Sequence, residues 1–104
     1  MLKICIFGPD DEKVTSSLIQ AASNAGAGKI GNYSQCAFII KGTGHWKSEE
    51  GSNPTDGKVG EISIEPQVKI EMVCPEDKAK EVELAVRKVH PYEEPEINFI
   101  KLSN

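Results

Sequence analysis

Short apolar runs alternate along the chain with two stretches whose hydrophobic positions recur at helical spacing. β-Branched and aromatic residues concentrate at Leu2–Phe7, Tyr33–Lys41, Val68–Cys74 and Ile97–Leu102, which predicts four strands. Between the first two, Val14, Leu18, Ile19 and Ala22 line up as one apolar stripe of a helix. Ala79, Val82, Val86 and Val89, joined by Ala85, make a second such stripe between the last two. Asp10, Asp11 and Glu12 stand where the first helix begins, and Glu76 and Asp77 where the second does. Carboxylates there favour the positive end of the helix dipole. Gly26 suits a left-handed stop after the first helix. Pro91 forces His90 out of helical geometry and ends the second.

The resulting order is βαββαβ. It predicts an α+β, ferredoxin-like sandwich in which two helices cover one face of a four-stranded, mainly antiparallel sheet. The chain also repeats itself in outline: Lys3–Asp11 lies over Lys69–Asp77, each copy reading strand, proline with acids, helix. Identities between the copies are few, so the repeat is one of architecture. Alternation along the strands sets Ile4 and Ile6 against Lys3, Cys5 and Phe7. It likewise sets Cys36, Phe38 and Ile40 against Gln35, Ala37 and Ile39, and Val68, Ile70 and Met72 against Lys69, Glu71 and Val73. Helices on one side bury one set from each strand. The other face is then expected to carry Phe7, Ile39 and Val73 among polar residues. Such a half-apolar surface is expected to be an oligomer interface; scattered hydrophobes on a monomer are the alternative.

With 104 residues the chain has room for a single domain, 1–104. Its 38% hydrophobic and 27% charged residues are ordinary for a globular protein. A net charge of −4 argues against nucleic acid or an anionic membrane as partner. No apolar run approaches the roughly 20 residues of a membrane span. The three cysteines, odd in number and without C-x-x-C spacing, read as reduced thiols of a cytoplasmic protein.

Lys41–Gly60 holds five of the nine glycines and is expected to form a loop or hairpin excursion. Segments of that length often bind something; the bland alternative is a solvated hairpin whose tip packs on a neighbouring subunit. Two nucleotide motifs fail on inspection. Gly26-Ala27-Gly28-Lys29-Ile30-Gly31 spells G-x-G-x-x-G, but a helix precedes it and a strand follows, the reverse of what pyrophosphate binding needs. Gly51 to Gly57-Lys58 has one residue too many for a phosphate loop, and Val59 stands where a hydroxyl would hold magnesium. His45-Trp46 offers either a ligand platform or a tryptophan that pins the excursion to the sheet.

His90-Pro91-Tyr92-Glu93-Glu94-Pro95-Glu96 packs an imidazole, a phenol and three carboxylates into one turn. The negative helix end should favour protonated His90, and Glu93 or Glu94 could pair with it in general acid–base work. The same cluster also suits fixing a helix-to-strand turn. The candidate ligand-binding residues are therefore His45, Trp46, His90, Tyr92, Glu93 and Glu94. No catalytic residue is assigned, because no G-x-S-x-G or comparable nucleophile motif is present. Lone histidines and cysteines lack metal-ligand spacing, which leaves only a divalent metal shared between subunits.

Gly28-x-Ile30-Gly31-Asn32-Tyr33-Ser34-x-Cys36, Gly42-Thr43-Gly44, Glu50-Gly51-x-Asn53-Pro54 and the His90–Pro95 run together resemble one known domain. It is the domain inserted in YqfO-type proteins of the Nif-three-like family of dinuclear-metal hydrolases. The His90–Glu96 ending also resembles the CutA divalent-cation-tolerance proteins, which share the ferredoxin-like fold with the PII signalling proteins. The resemblance implies trimeric assembly around a buried sheet face and an accessory or sensing role. In PII proteins the loop between strands two and three contacts partners, and Lys41–Gly60 occupies that place. The histidines and carboxylates that hold paired metals in YqfO-type proteins belong to flanking domains outside these 104 residues, so hydrolysis is not implied. The expected function is a non-catalytic, homo-oligomeric binding or regulatory module whose ligand sits between subunits. A metal-binding protein or small metal-dependent enzyme using His45, His90, Glu93 and Glu94 across an interface stays open, as does a purely structural assembly domain.

Overall fold

The computed structural model describes residues 1–103. Strand β1 (Leu2–Pro9) leads into helix α1 (Glu12–Asn24), and strands β2 (Phe38–Lys47) and β3 (Ile62–Cys74) form a long hairpin. A 3-10 turn at Glu76–Lys78 opens helix α2 (Ala79–Val89), and β4 (Ile97–Lys101) closes the sheet. The strand order is β2-β3-β1-β4, with every neighbouring pair antiparallel. This is the ferredoxin-like α+β fold.

Each helix begins and ends for a local reason. The Asp11 carboxylate caps α1 by accepting from the Val14 amide at 3.0 Å. After α1 the chain turns at Gly26 (φ +126), where the Gly26 and Ala27 amides reach back to the Ser23 and Ala22 carbonyls. Helix α2 stops at His90, held extended (φ −71, ψ 133) ahead of Pro91. Leu18 and Ala22 of α1, with Val82 and Val86 of α2, pack on Ile4, Ile6, Ile70 and Met72 of the two central strands. Each of these buried side chains larger than alanine contributes about 1.5–3 kcal/mol. Among the described residues no helix is long and apolar enough to cross a membrane.

The second strand departs from the sequence reading. It starts at Phe38, not Tyr33. Ahead of it, Ile30 and Tyr33 exchange backbone hydrogen bonds in a tight turn, and Gln35 adopts φ +55. Gly28 anchors this segment: its amide donates to Val73 O and its carbonyl accepts from the Cys36 amide, both at 2.8 Å. Gly28 has φ +75, and a Cβ on it would stand 2.6 Å from Met72 Cε and 3.0 Å from Cys36 O. Only glycine fits there.

Register also corrects which face Ile39 occupies. Ile39 pairs with Ile70, a core residue, and so points to the helix side; Phe38 pairs with Glu71 and Ile40 with Lys69. The uncovered face therefore carries Phe38 and Ile40, not Ile39, beside Phe7, Val73 and Ile100. Phe38 is 67% exposed and Ile100 50%. Among these apolar groups the Glu71 carboxylate meets Lys69 Nζ at 3.1 Å and Lys3 Nζ at 3.5 Å. The Lys69 contact holds the Glu71 carboxyl below its ordinary range.

β2 and β3 also run further than the residue pattern indicates, pairing out to Lys47 and Ile62. Gly42 and Gly44 are strand residues here, while Gly51, Gly57 and Gly60 lie in the tip. Gly44 has no side chain because Gln67 lies across it; a Cβ at Gly44 would collide with the Gln67 side chain. The hairpin thereby projects past the helices, and its tip, residues 48–61, folds back over the sheet.

Candidate functional site

The hairpin tip meets the turn between α2 and β4, and His90 is the centre of that turn. Its imidazole is 8% exposed. Nδ1 accepts from the Tyr92 amide at 3.1 Å, which leaves the proton on Nε2, 2.7 Å from the Phe7 carbonyl it donates to. Burial pushes the imidazole below its ordinary pKa, with Arg87 adding to the effect and the Phe7 hydrogen bond opposing it. The expectation of a protonated His90 at the helix end is thus corrected: desolvation outweighs the helix dipole. Both ring nitrogens are engaged, and no acid–base pair with Glu93 or Glu94 forms.

Tyr92 extends the cluster outward. Its ring lies 5.0 Å from that of His90 and 6.5 Å from that of Trp46, centroid to centroid. The phenol oxygen accepts from Gln67 Nε2 at 3.0 Å, the contact that needs Gly44 bare. Burial raises the phenol pKa and the Asp56 and Glu65 carboxylates add to the rise, so Tyr92 remains a neutral phenol. Two further bonds tie the hairpin tip to this turn. Glu93 Oε1 accepts from the Asn53 amide at 3.0 Å, and Thr55 Oγ1 donates to the Pro91 carbonyl at 2.8 Å.

Tip and turn enclose a cavity of about 320 Å³ over the outer end of the sheet. Trp46, Tyr92, Glu93 and Glu94 stand in its wall together with the exposed His45. His90 does not; it lies behind Tyr92 and positions it. Phe7, Ser48, Glu49, Thr55, Asp56 and Gln67 also stand in the wall, none of them among the ligand-binding candidates read from the sequence. Asn53-Pro54 was the available signal for the tip contact, because an Asn-Pro pair marks a fixed turn.

Among the described residues no three His, Cys, Asp or Glu side chains converge as metal ligands. Cys5 and Cys74 are buried free thiols whose pKa burial raises, which keeps them protonated and unreactive.

Comparison with known proteins places this geometry. No protein-family model matches the chain. Its fold matches CutA of Pyrococcus horikoshii (21% identity, TM-score 0.68) over 100% of this chain and 86% of that one. The divalent cation tolerance protein of Thermus thermophilus matches with a TM-score of 0.72 at 17% identity. These matches define a CutA-like fold. A Bacillus cereus protein related to NIF3 is more similar in sequence, at 33% identity and a TM-score of 0.83, covering 99% of this chain and 26% of that one. A GTP cyclohydrolase 1 type 2 homologue of Halalkalibacterium halodurans is 42% identical over 104 residues, all of this chain and 27% of the relative. The Bacillus subtilis homologue is 42% identical over 94 residues, 88% of this chain and 24% of the relative. The chain belongs to the Nif-three-related, YqfO-type family of GTP cyclohydrolase 1 type 2 homologues, and it spans about a quarter of the length of the curated relatives it matches.

Proposed function

We propose that this domain is a non-catalytic, self-assembling binding or regulatory module of the YqfO-type family, working in the cytoplasm. The observation that carries the proposal is the uncovered sheet face, where Phe7, Phe38, Ile40, Val73 and Ile100 form an apolar surface around the Lys3–Glu71–Lys69 ion pairs. Burying such a face against copies of itself is the least costly way to remove it from water. Three copies around one axis is the arrangement implied by the resemblance to CutA and PII proteins.

The cavity lies on this same side of the sheet, so a neighbouring copy would border it and its ligand would sit at the seam. Engaged His90 nitrogens and buried, protonated thiols support binding over catalysis. The activity in the relatives' name is proposed to reside in the parts of those proteins that this chain does not match.

Light scattering on the eluting protein tests the assembly. The expected mass at micromolar concentration is a multiple of 11.3 kDa, and Phe38→Lys combined with Ile40→Lys should return it to a single chain without loss of helicity. A wild-type monomer would refute the proposal. A stable oligomer that no small molecule or metal ion stabilises against heat would favour a purely structural role.

A further inference from the structure

The composition of the cavity wall discriminates among ligand classes. The Trp46 and Tyr92 rings stand 6.5 Å apart and are tilted by 43°, a corner rather than a stack, and Phe7, with Lys69 Nζ 6.0 Å over its ring, also lines the cavity. Aromatic faces carry negative quadrupole density and attract a cation within about 6 Å of the ring centre. The wall also carries the carboxylates of Glu49, Asp56, Glu93, Glu94 and Glu96, against Lys47 and His45 as its basic side chains.

Ser48 also stands in the wall and is 5% exposed. Other ligand classes fit poorly. A phosphorylated ligand would face five carboxylates and one lysine. A bare divalent ion needs convergent oxygens, and among the described residues no such group exists. The volume of about 320 Å³ lies at the small end of ligand sites, which run from about 300 to 1,000 Å³.

We propose that the cavity binds a small organic cation, an alkylammonium group with an aliphatic body. The charged head sits in the Trp46–Tyr92 corner, and the carboxylates neutralise the charge. This rests on the binding role proposed above and adds the chemistry of the ligand.

Trp46 is the one tryptophan of the chain, so its emission reads the cavity directly. The assembled wild-type protein is titrated with spermidine and with tetramethylammonium, and in parallel with inorganic phosphate, a nucleoside triphosphate and magnesium. The expected result is a saturable emission change with the organic cations. The half-saturation point should rise about tenfold in Asp56→Asn/Glu94→Gln, the size of two partly exposed ion pairs. Glu12→Gln/Glu81→Gln removes the same charge from the helices and should leave it unchanged. Equal weakening by both double variants would reduce the effect to bulk charge and overturn the proposal. A saturable response to phosphate or nucleotide alone would overturn the cation and leave the binding role standing. Silence toward every probe, in protein that light scattering shows to be assembled, would overturn both.

Discussion

Replacing His90 by alanine should disconnect the turn from the sheet. The imidazole joins three elements: Nε2 holds the Phe7 carbonyl of β1, Nδ1 holds the Tyr92 amide, and the ring supports Tyr92 from behind. Removing it leaves two backbone groups unpaired at a buried position, each costing about 1–3 kcal/mol, so the change should destabilise the domain by about 4 kcal/mol with the lost packing included. That is a large part of the total of about 5–15 kcal/mol typical of a domain. An unfolding entropy near 2.1 cal/mol/K per residue converts it to a fall in Tm of about 15–20 °C. Far-ultraviolet circular dichroism melts measure the loss, and Trp46 emission in the folded variant should shift to the red as the tip lifts. His90→Gln keeps an amide that can donate and accept, and should recover about half of the loss. A fall below about 4 °C for His90→Ala would show that the imidazole does not hold the turn.

The same histidine gives a pH dependence whose sign is set by its lowered pKa. The folded state prefers the neutral ring, so the contribution is complete above the unfolded value of 6.5 and is lost as pH falls through the folded value. Wild type should lose its Tm advantage over His90→Gln on acidification; a gap that is constant with pH would contradict this. Tyr92→Phe removes one acceptor from Gln67 and should cost about 1 kcal/mol by urea unfolding, with no change in helicity. Gly28→Ala combines φ +75 with a Cβ pressed on Met72 and the Cys36 carbonyl, and should cost about 3 kcal/mol in the same assay. A neutral result would mean that the segment before β2 relaxes freely.

The element order and the helix stops were legible because each has a local cause. Periodicity gave the two helices, Gly26 and Pro91 gave their ends, and the alternation in β1 and β3 gave the core face. The second strand was not, for two reasons. Tyr33 has strand propensity, but the backbone bonds of Gly28 to Val73 and Cys36 hold that segment out of the sheet, and such bonds leave no local pattern. The strand's later start also leaves its face to its partner, so only the Ile39–Ile70 pairing reveals that Ile39 points to the helices. Gly42 and Gly44 fell beyond the expected second strand, in the loop or hairpin excursion, and Gly44 is the strand position over which the Gln67 side chain lies.

Within the site, residue types were visible and their partners were not. Asn53 meets Glu93 and Thr55 meets Pro91 across separations of 40 and 36 residues, beyond the reach of any sequence window. The charge state of His90 was misjudged because helix-end electrostatics can be read from sequence and burial cannot.

Small-angle X-ray scattering tests the central claim, that copies of this chain cover its open sheet face. A lone chain has a Cα radius of gyration of 14.2 Å and a mass of 11.3 kDa. The account predicts a forward-scattering mass that is a multiple of that value, a clearly larger radius, and reversion of both in Phe38→Lys/Ile40→Lys. Scattering from the wild-type protein that matches the single chain in mass and radius at micromolar concentration would contradict it.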